Sequence, residues 1–247
     1  METGSYTEDR LLGERILLRQ PKTGYRVAID PIFLAASIQP QPGETILDIG
    51  AGVGAASLCL ATRCPQVKVI GIELHRDSVR YAADNIQLNE LRDRVEILQG
   101  DLLRPPPRLA AGTFSHVMTN PPHLDSNSNN SSPYESKAIS NLEGEADFAQ
   151  WARFCLLMVR PKGTVTFIYR TDRLDQALSF FIGKLGNITV YPLWPGQNKP
   201  AKRVLIRGIK NTGGLLKLQP GMILHHSNGQ YTVEAEQILR HAKGIEW

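Results

Sequence analysis

The feature that most constrains the fold is a glycine-rich turn that directly follows a short apolar segment. Thr45–Ile49 has the composition of a buried strand and leads into the sequence Asp48-Ile49-Gly50-Ala51-Gly52-Val53-Gly54. Ala55–Arg63 follows with the composition of a helix. Glycines let the chain turn tightly and let a ligand approach the backbone closely. A strand, a glycine-rich turn and a helix in this order predict a parallel α/β unit that binds a ligand at the end of its strand.

Strand-like and helix-like segments alternate along the rest of the chain. Strands are predicted at Val67–Leu74, Val95–Leu98, Phe114–Thr119 and Thr164–Tyr169, and helices at Asp77–Asn89, Ala146–Val159 and Leu174–Leu185. Two further strands, Ile188–Leu193 and Arg203–Ile209, follow one another without a helix between them. The pattern predicts a doubly wound, Rossmann-like α/β sheet, mostly parallel with an antiparallel final strand.

Length and composition fit one domain. We expect a single domain over 1–247, with 1–43 as an N-terminal extension and 211–247 as a C-terminal strand and helix appendage. No stretch approaches the roughly 20 apolar residues of a membrane span, and the N-terminus lacks the apolar core of a secretory signal. The three cysteines lack metal-site spacing, and their odd number fits reduced thiols. We therefore expect a cytoplasmic protein with no membrane segment and no bound metal.

The net charge of +4 is unevenly distributed. From Gln176 to Val233 there is no Asp or Glu, whereas there are seven Lys and Arg residues, so this stretch contributes +7 and the rest of the chain −3. Such an acid-free block fits a polyanionic partner, and it equally fits a solvated basic face without a partner.

Three acids follow three successive predicted strands. Asp48 precedes the glycines, Glu73 lies 21 residues after Gly52, and Asp101 follows the third strand. An aspartate in front of the turn repels a pyrophosphate and attracts an ammonium group, and an acid after the second strand can accept from ribose hydroxyls. The three acids therefore suit a ligand with an ammonium group, a ribose and an adenine amino group. S-adenosylmethionine has all three.

The fourth predicted strand ends in the sequence Asn120-Pro121-Pro122-His123. The two prolines fix the backbone and lack N–H donors, so the Asn120 side-chain oxygen and the Pro121 carbonyl remain as acceptors. An exocyclic amine is a poor nucleophile because its lone pair is delocalised into the ring. Two acceptors aimed at its hydrogens favour the pyramidal nitrogen that attacks a methyl group. The segment predicts methyl transfer to an amine, with Asn120, Pro121, Pro122 and His123 at the reacting site.

These motifs resemble those of the class I S-adenosylmethionine-dependent methyltransferases. Within them, Asn120-Pro121-Pro122 resembles the signature of enzymes that methylate adenine N6, guanine N2 or glutamine amides. The resemblance implies an aromatic residue next, where a target base stacks, whereas this chain has His123. Tyr134, beyond the polar tract Asp125–Pro133, is the alternative platform.

Segments along nearly the whole chain resemble the tRNA (adenine-N6) methyltransferase family, which modifies an adenine beside the valine-tRNA anticodon. They are Gln20–Ala36, Pro192–Pro195, Ala201–Gly208, Leu224–His226 and Tyr231–Leu239. The resemblance implies tRNA as substrate. The cofactor is then expected to contact Asp48, Gly50, Gly52, Glu73, Asp101 and Asn120.

The acid-free block supplies candidate RNA contacts at Lys199, Lys202, Arg203 and Arg207. Strand alternation separates them, with Arg203 on one face of its strand and Lys202 on the other. A base inside a stacked loop must also be extruded to reach Asn120. Trp194 is expected to pack rather than to form a platform for a base. Asp30 is expected to cap a helix that begins at Pro31, and a role near the methionine end of the cofactor is the alternative.

Three alternative functions stay open. The same chemistry fits guanine N2 in ribosomal RNA or a glutamine side chain in a protein. The departure at His123 also fits a catalytically inactive protein that binds the cofactor and RNA.

Overall fold

The computed structural model of the chain describes residues 6–23, 26–122 and 146–247. Its strands are β1 Tyr6–Leu11, β2 Ile16–Pro21, β3 Thr45–Ile49, β4 Lys68–Glu73, β5 Val95–Gln99, β6 Phe114–Thr119, β7 Val159–Arg170, β8 Leu185–Trp194, β9 Arg203–Lys210, β10 Lys217–Leu218 and β11 Met222–Ile223. Its helices are α1 Asp30–Ser37, α2 Ala55–Arg63, α3 Arg76–Leu88, α4 Phe148–Met158, α5 Leu174–Phe181 and α6 Val233–Leu239. In these ranges no helix combines the length and the apolar character that crossing a membrane requires.

The main sheet has the strand order β10-β8-β9-β7-β6-β3-β4-β5, and β11 also pairs with β8. Strands β7, β6, β3, β4 and β5 are parallel, whereas β9 runs antiparallel to both of its neighbours, β7 and β8. The predicted fold class is therefore confirmed. Because β8 runs in the same direction as β7, the carboxyl ends of β3 to β8 all lie at one edge of the sheet.

Each face of the sheet is covered by its own hydrophobic core. One core combines β-strand residues with apolar residues of α1, α2 and α6, and the other with apolar residues of α4 and α5. The alternation expected along β9 is visible in this division, since Leu205 belongs to the first core and Val204 and Ile206 to the second. The buried apolar side chains of the parallel strands thus face helices on both sides, as in other doubly wound sheets.

Three helices end earlier than the sequence pattern indicates, and α3 does so by one residue, at Leu88. Helix α5 ends at Phe181 because the chain turns at Gly183, whose φ is +80°, and β8 begins at Leu185. Helix α4 ends at Met158, and the chain continues at once as β7, whose pairing with β6 shifts register between Phe114 and His116.

The N-terminal segment forms an antiparallel hairpin, β1–β2, that the sequence pattern did not predict. Two asparagines of the α3 region attach it to the domain. Asn89 binds the backbone N–H and carbonyl of Leu17, at 2.9 and 2.8 Å. Asn85 accepts from Arg19 N at 2.7 Å and donates to Arg19 O at 2.9 Å and to Val53 O at 3.0 Å. The two side-chain amides therefore form hydrogen bonds with β2 backbone groups of the kind that a neighbouring strand would form.

The C-terminal segment packs beside α1. Thr232 caps α6 by accepting a hydrogen bond from Ala235 N at 3.2 Å. Further along, Ile245 N donates to Ala36 O and Trp247 Nε1 to Ser37 O, both at 2.8 Å. Carbonyl groups at the end of α1 are thereby satisfied by the end of the chain.

Replacement of Asn85 by alanine should destabilise the protein, because three backbone groups lose a buried partner. We expect the free energy of unfolding to fall by about 2–3 kcal/mol, and the melting temperature by roughly 4–12 °C, in urea and thermal unfolding. The matched control is Gln87→Ala, an exposed amide on the same helix. Equal stability of the two variants would contradict the assigned role of Asn85.

Candidate active site

A cavity of about 600 Å³ opens at the carboxyl edge of β3, β4 and β6. The predicted site residues that line it are Asp48, Gly50, Gly52, Glu73, Asp101, Asn120, Pro121 and Pro122. His123, Tyr134 and the tract 125–133 lie outside the described residues. The cavity therefore brings together the glycine turn, the three acids and the start of the Asn-Pro-Pro segment.

The glycine turn has a backbone that favours glycine at three of its positions. Gly50 has φ +71°, Gly52 has φ +55° and Gly54 has φ +87°, all in the left-handed region. Backbone N–H groups of Gly50 and Ala51 donate to Ile72 O at 2.9 and 3.1 Å, which ties the turn to the end of β4. A Cβ at Gly50 would lie only 2.8 Å from the Trp151 ring. Both the backbone angle and the space available thus require glycine at position 50.

Asp48 lies at the end of β3 and is buried. Ser57 Oγ, on α2, donates a hydrogen bond to Asp48 Oδ2 at 2.7 Å. Burial raises the pKa of Asp48 from its ordinary 3.8 to about 7, and the charge of Glu73 adds to the rise, while the Ser57 hydrogen bond opposes it. A cationic group placed in the cavity would favour the ionised form of this carboxyl group.

Glu73 connects the two loops that flank the cavity. Its Oε2 accepts from Gly52 N at 2.9 Å, and its Oε1 accepts from His75 N at 2.8 Å. Each carboxylate oxygen has more than one acceptor position, so these bonds orient the group and still leave it able to accept from ligand hydroxyls.

Asp101 follows β5 and has a fixed orientation. Its Oδ1 accepts from Leu103 N at 2.8 Å. The preceding Gly100 packs tightly, since a Cβ there would lie 2.6 Å from Pro106. The third acid is therefore held at the cavity wall by the turn that follows its own strand.

The end of β6 is fixed by a buried hydroxyl group. Thr119 Oγ1 donates to Ile49 O at 2.8 Å and accepts from Trp151 Nε1 at 2.8 Å. This pair of bonds joins β6, β3 and α4 immediately before Asn120. Trp151 was not among the predicted site residues, because the sequence indicates a helix at this position and nothing of a contact with Thr119.

Described residues from the end of β2 to the start of α1 form another part of the cavity wall. They are Pro21, Thr23, Val27 and Pro31. Gln20, which is buried, anchors the segment by accepting from Val27 N at 2.8 Å. These N-terminal residues were not predicted to lie at the site.

The four candidate RNA-binding residues fall into two pairs. Lys199 and Lys202 are exposed. Arg203 Nε donates to Asp30 Oδ2 at 2.8 Å, and the Arg207 guanidinium lies 4.2 Å from the centre of the Trp247 ring. Burial lowers the pKa of Arg207 to about 10. The two arginines therefore have partners within the protein, whereas the lysines present their charges to solvent.

Asp30 differs from the sequence prediction. It is the first residue of α1, after the N-cap Ile29, and no side-chain cap hydrogen bond forms there. The prediction of a capping role is wrong because the carboxylate pairs with Arg203 of β9 instead.

Histidines and acids do not assemble a metal site in the described ranges, where no group of three or more His, Cys, Asp or Glu is placed to hold an ion. His225 contacts the Pro195 carbonyl through Nδ1 at 3.0 Å and stacks on Tyr231 with 4.5 Å between ring centres.

Comparison with known proteins identifies relatives over most of the chain. Residues 27–135 match the family of methyltransferase small domains. A tRNA1(Val) (adenine(37)-N6)-methyltransferase of Shewanella halifaxensis is 30% identical over 224 residues, which cover 86% of this chain and 89% of the relative. An rRNA N(6)-adenosine-methyltransferase, metl-5, of Caenorhabditis elegans is 26% identical over 66% of this chain and 69% of its own.

Among solved structures, a predicted O-methyltransferase from Agrobacterium tumefaciens superposes with a TM-score of 0.73. It is 20% identical, and the match covers 88% of this chain and 98% of that one. This likeness supports the fold assignment.

Replacement of Gly50 by alanine should weaken binding of S-adenosylmethionine at least tenfold, because the new Cβ meets the Trp151 ring and displaces the turn. Isothermal titration gives the dissociation constant. Gly43→Ala is the matched control, since Gly43 also has a positive φ of +83° but has no atom within 4 Å of the added Cβ. Since Gly43 does not line the cavity, similar losses in both variants would mean a general destabilisation of the fold and would contradict the role of the Trp151 contact.

Replacement of Asp48 by asparagine should stabilise the protein in a pH-dependent way. Because the folded state raises the pKa of this carboxyl, the native protein holds a proton that the unfolded chain releases between about pH 4 and 7. The contribution of Asp48 to the free energy of unfolding of the wild type therefore falls as pH rises through that window. The free energy of unfolding of the Asp48→Asn variant should exceed that of the wild type by at most about 4 kcal/mol at pH 7, and the difference should stay constant above that pH.

Urea unfolding at several pH values measures this difference. The Ser57→Ala variant is a useful comparison, since it removes the bond that favours the ionised carboxylate. If the difference in free energy of unfolding between Asp48→Asn and wild type did not change with pH, the raised pKa of the buried Asp48 would be contradicted.

Proposed function

We propose that this chain, which belongs to the family of tRNA1(Val) (adenine(37)-N6)-methyltransferases, transfers a methyl group to the N6 atom of an adenine in tRNA. Family membership makes it an S-adenosylmethionine-dependent methyltransferase, so the predicted enzyme class and cofactor are confirmed. The observation that carries the proposal is the meeting of the three acids and Asn120-Pro121 in one cavity.

The residues of the cavity fit S-adenosylmethionine. We assign Asp48 to the ammonium group, Glu73 to the ribose hydroxyls and Asp101 to the adenine amino group, with Gly50 and Gly52 allowing close approach to the backbone. The buried, electrostatically disfavoured carboxyl of Asp48 supports this assignment, because a cationic partner relieves its desolvation. When bound, the cofactor supplies a methyl group attached to a positively charged sulfur.

The chain's own contribution at the reacting end is to hold the target amine. The Asn120 side-chain oxygen and the Pro121 carbonyl accept hydrogen bonds from the two amine hydrogens in our proposal. These bonds favour the pyramidal nitrogen and place its lone pair toward the methyl group. The Trp151–Thr119–Ile49 hydrogen bonds fix the end of β6 and so limit the movement of Asn120. His123 is proposed to face the target base.

The choice of tRNA rests on the relatives and on charge. The Shewanella halifaxensis relative, named for an adenine in tRNA1(Val), matches 89% of its length. Exposed Lys199 and Lys202 supply positive charge between the carboxyl end of β8 and the amino end of β9. We propose a cytoplasmic location on the same grounds. Ribosomal RNA is the second candidate, because the Caenorhabditis elegans relative is named for it.

Replacement of Asn120 by alanine should lower kcat by about 100- to 1,000-fold, the usual effect of removing one preorganised polar contact to a transition state. We expect the dissociation constant of S-adenosylmethionine to stay within about threefold of wild type, since the acids and the glycine turn remain. Gln87→Ala, which removes an exposed amide far from the cavity lining, is the control. Unchanged kcat in the Asn120→Ala protein would remove this residue from the reacting site.

The substrate is tested by labelling tRNA from cells that lack the protein, followed by mass spectrometry of the nucleosides. N6-methyladenosine is the expected product. N2-methylguanosine would replace the base in the proposal, and label confined to ribosomal RNA or to protein would replace the substrate class. Tight cofactor binding without transfer to any of these pools would favour a binding protein.

A further inference from the structure

A second cavity, of about 610 Å³, lies beside the turn between β8 and β9. We refer to it as the β8–β9 groove. The lining residues that matter here are Trp194, Gly196, Lys199, Pro220 and Ile223. None of them belongs to the cofactor cavity.

The groove presents an aromatic surface of fixed orientation. Trp194 is half-buried, and its Nε1 donates to Pro220 O at 3.0 Å. Since the indole N–H is already bonded within the protein, the ring offers its apolar surface to a ligand. Ile223, whose exposed fraction is 40%, extends this apolar wall. Nucleobases stack on such surfaces regardless of their sequence.

A cation lies next to the aromatic wall. The alkyl chain of Lys199 crosses Gly196, where a Cβ would lie 3.4 Å from Lys199 Cδ, and the residue as a whole is exposed. The described groove lining contains no Asp or Glu, and neither does the sequence from 176 to 233. A phosphate at the groove therefore meets an ammonium group without a competing carboxylate from the lining.

The strand order places the groove on the same edge as the reacting site. Three steps, β6 to β7 to β9 to β8, separate the two strands, or about 14 Å at the usual spacing. The pairing register sets Thr119 level with Val190, through Phe167 and Ile206. Trp194 thus lies three residues, about 10 Å, beyond the level of Asn120. The groove is therefore displaced from Asn120 both across the sheet and along the strand direction. Nucleotides next to an extruded adenine could reach it.

We propose that the β8–β9 groove binds a nucleotide that flanks the target adenine, with its base on Trp194 and its phosphate beside Lys199. The proposal rests on the proposed function, because it requires an RNA substrate. It assigns Trp194 to substrate binding, whereas its position in the sequence alone indicates packing. The single-stranded part of the RNA would then be held at two points, the extruded adenine below and its neighbour at the groove.

The test compares steady-state methylation of an unmodified tRNA1(Val) transcript by wild type, Trp194→Ala, Trp194→Phe and Lys199→Glu. Loss of a stacked base should raise the KM for RNA about tenfold in Trp194→Ala, and phenylalanine should restore most of it. Lys199→Glu should raise the KM for RNA. It should also reduce the slope of log affinity against log salt concentration by about one or more, the value expected for loss of one phosphate contact. Lys68→Glu is the matched control, since Lys68 is exposed at the opposite edge of the sheet.

The dissociation constant of S-adenosylmethionine, measured on each variant, reports whether the fold and the first cavity are intact. An unchanged constant together with the raised KM supports the groove. Wild-type methylation of the transcript with an unchanged KM in both Trp194→Ala and Lys199→Glu overturns the groove and leaves the proposed function standing. Absence of methyl transfer to the transcript and to total tRNA by wild type overturns the proposed function and the groove together.

Discussion

The buried hydroxyl group of Thr119 joins the parts of the site that must stay in register. It bonds to the end of β3 through Ile49 and to α4 through Trp151, and Asn120 follows it directly. The Trp151 ring held by this bond is the same ring that lies against Gly50. The glycine turn and the Asn120-Pro121 segment are therefore positioned by a shared set of contacts.

Electrostatics give the cavity its preference for a cation. Asp48 and Glu73 are both buried at adjacent strand ends, and their mutual repulsion adds to the desolvation of Asp48. The N–H groups of Gly52 and His75 compensate the charge of Glu73, whereas the side chain of Asp48 accepts its hydrogen bond from Ser57. Glu73 thus accepts hydrogen bonds from two backbone N–H groups, whereas the hydrogen bond to Asp48 comes from one hydroxyl group. Asp48 therefore gains most from a positively charged ligand.

The core of the fold and the acids of the site could be predicted from the sequence because they depend on local patterns. Thr45–Ile49 is apolar enough to be buried, and the residues after it are glycines where the turn needs positive φ. Contacts between distant segments were not predictable in this way. The Arg203–Asp30 pair joins residues 173 positions apart. Strand β2 buries Ile16 and Leu18, but its hairpin is also held by the side-chain amides of Asn85 and Asn89, which the sequence pattern does not indicate.

The two hydrogen bonds that the Asn85 amide nitrogen donates have a consequence for how the molecule responds to a ligand. One amide group touches Arg19 in the hairpin and Val53 in the glycine turn. Any free energy that a ligand spends on ordering the turn is therefore shared with the hairpin. Thermodynamic reciprocity requires that an event which tightens the hairpin also strengthens ligand binding, by the same factor. If the glycine turn holds the cofactor, as proposed, the N-terminal hairpin takes part in the same binding equilibrium.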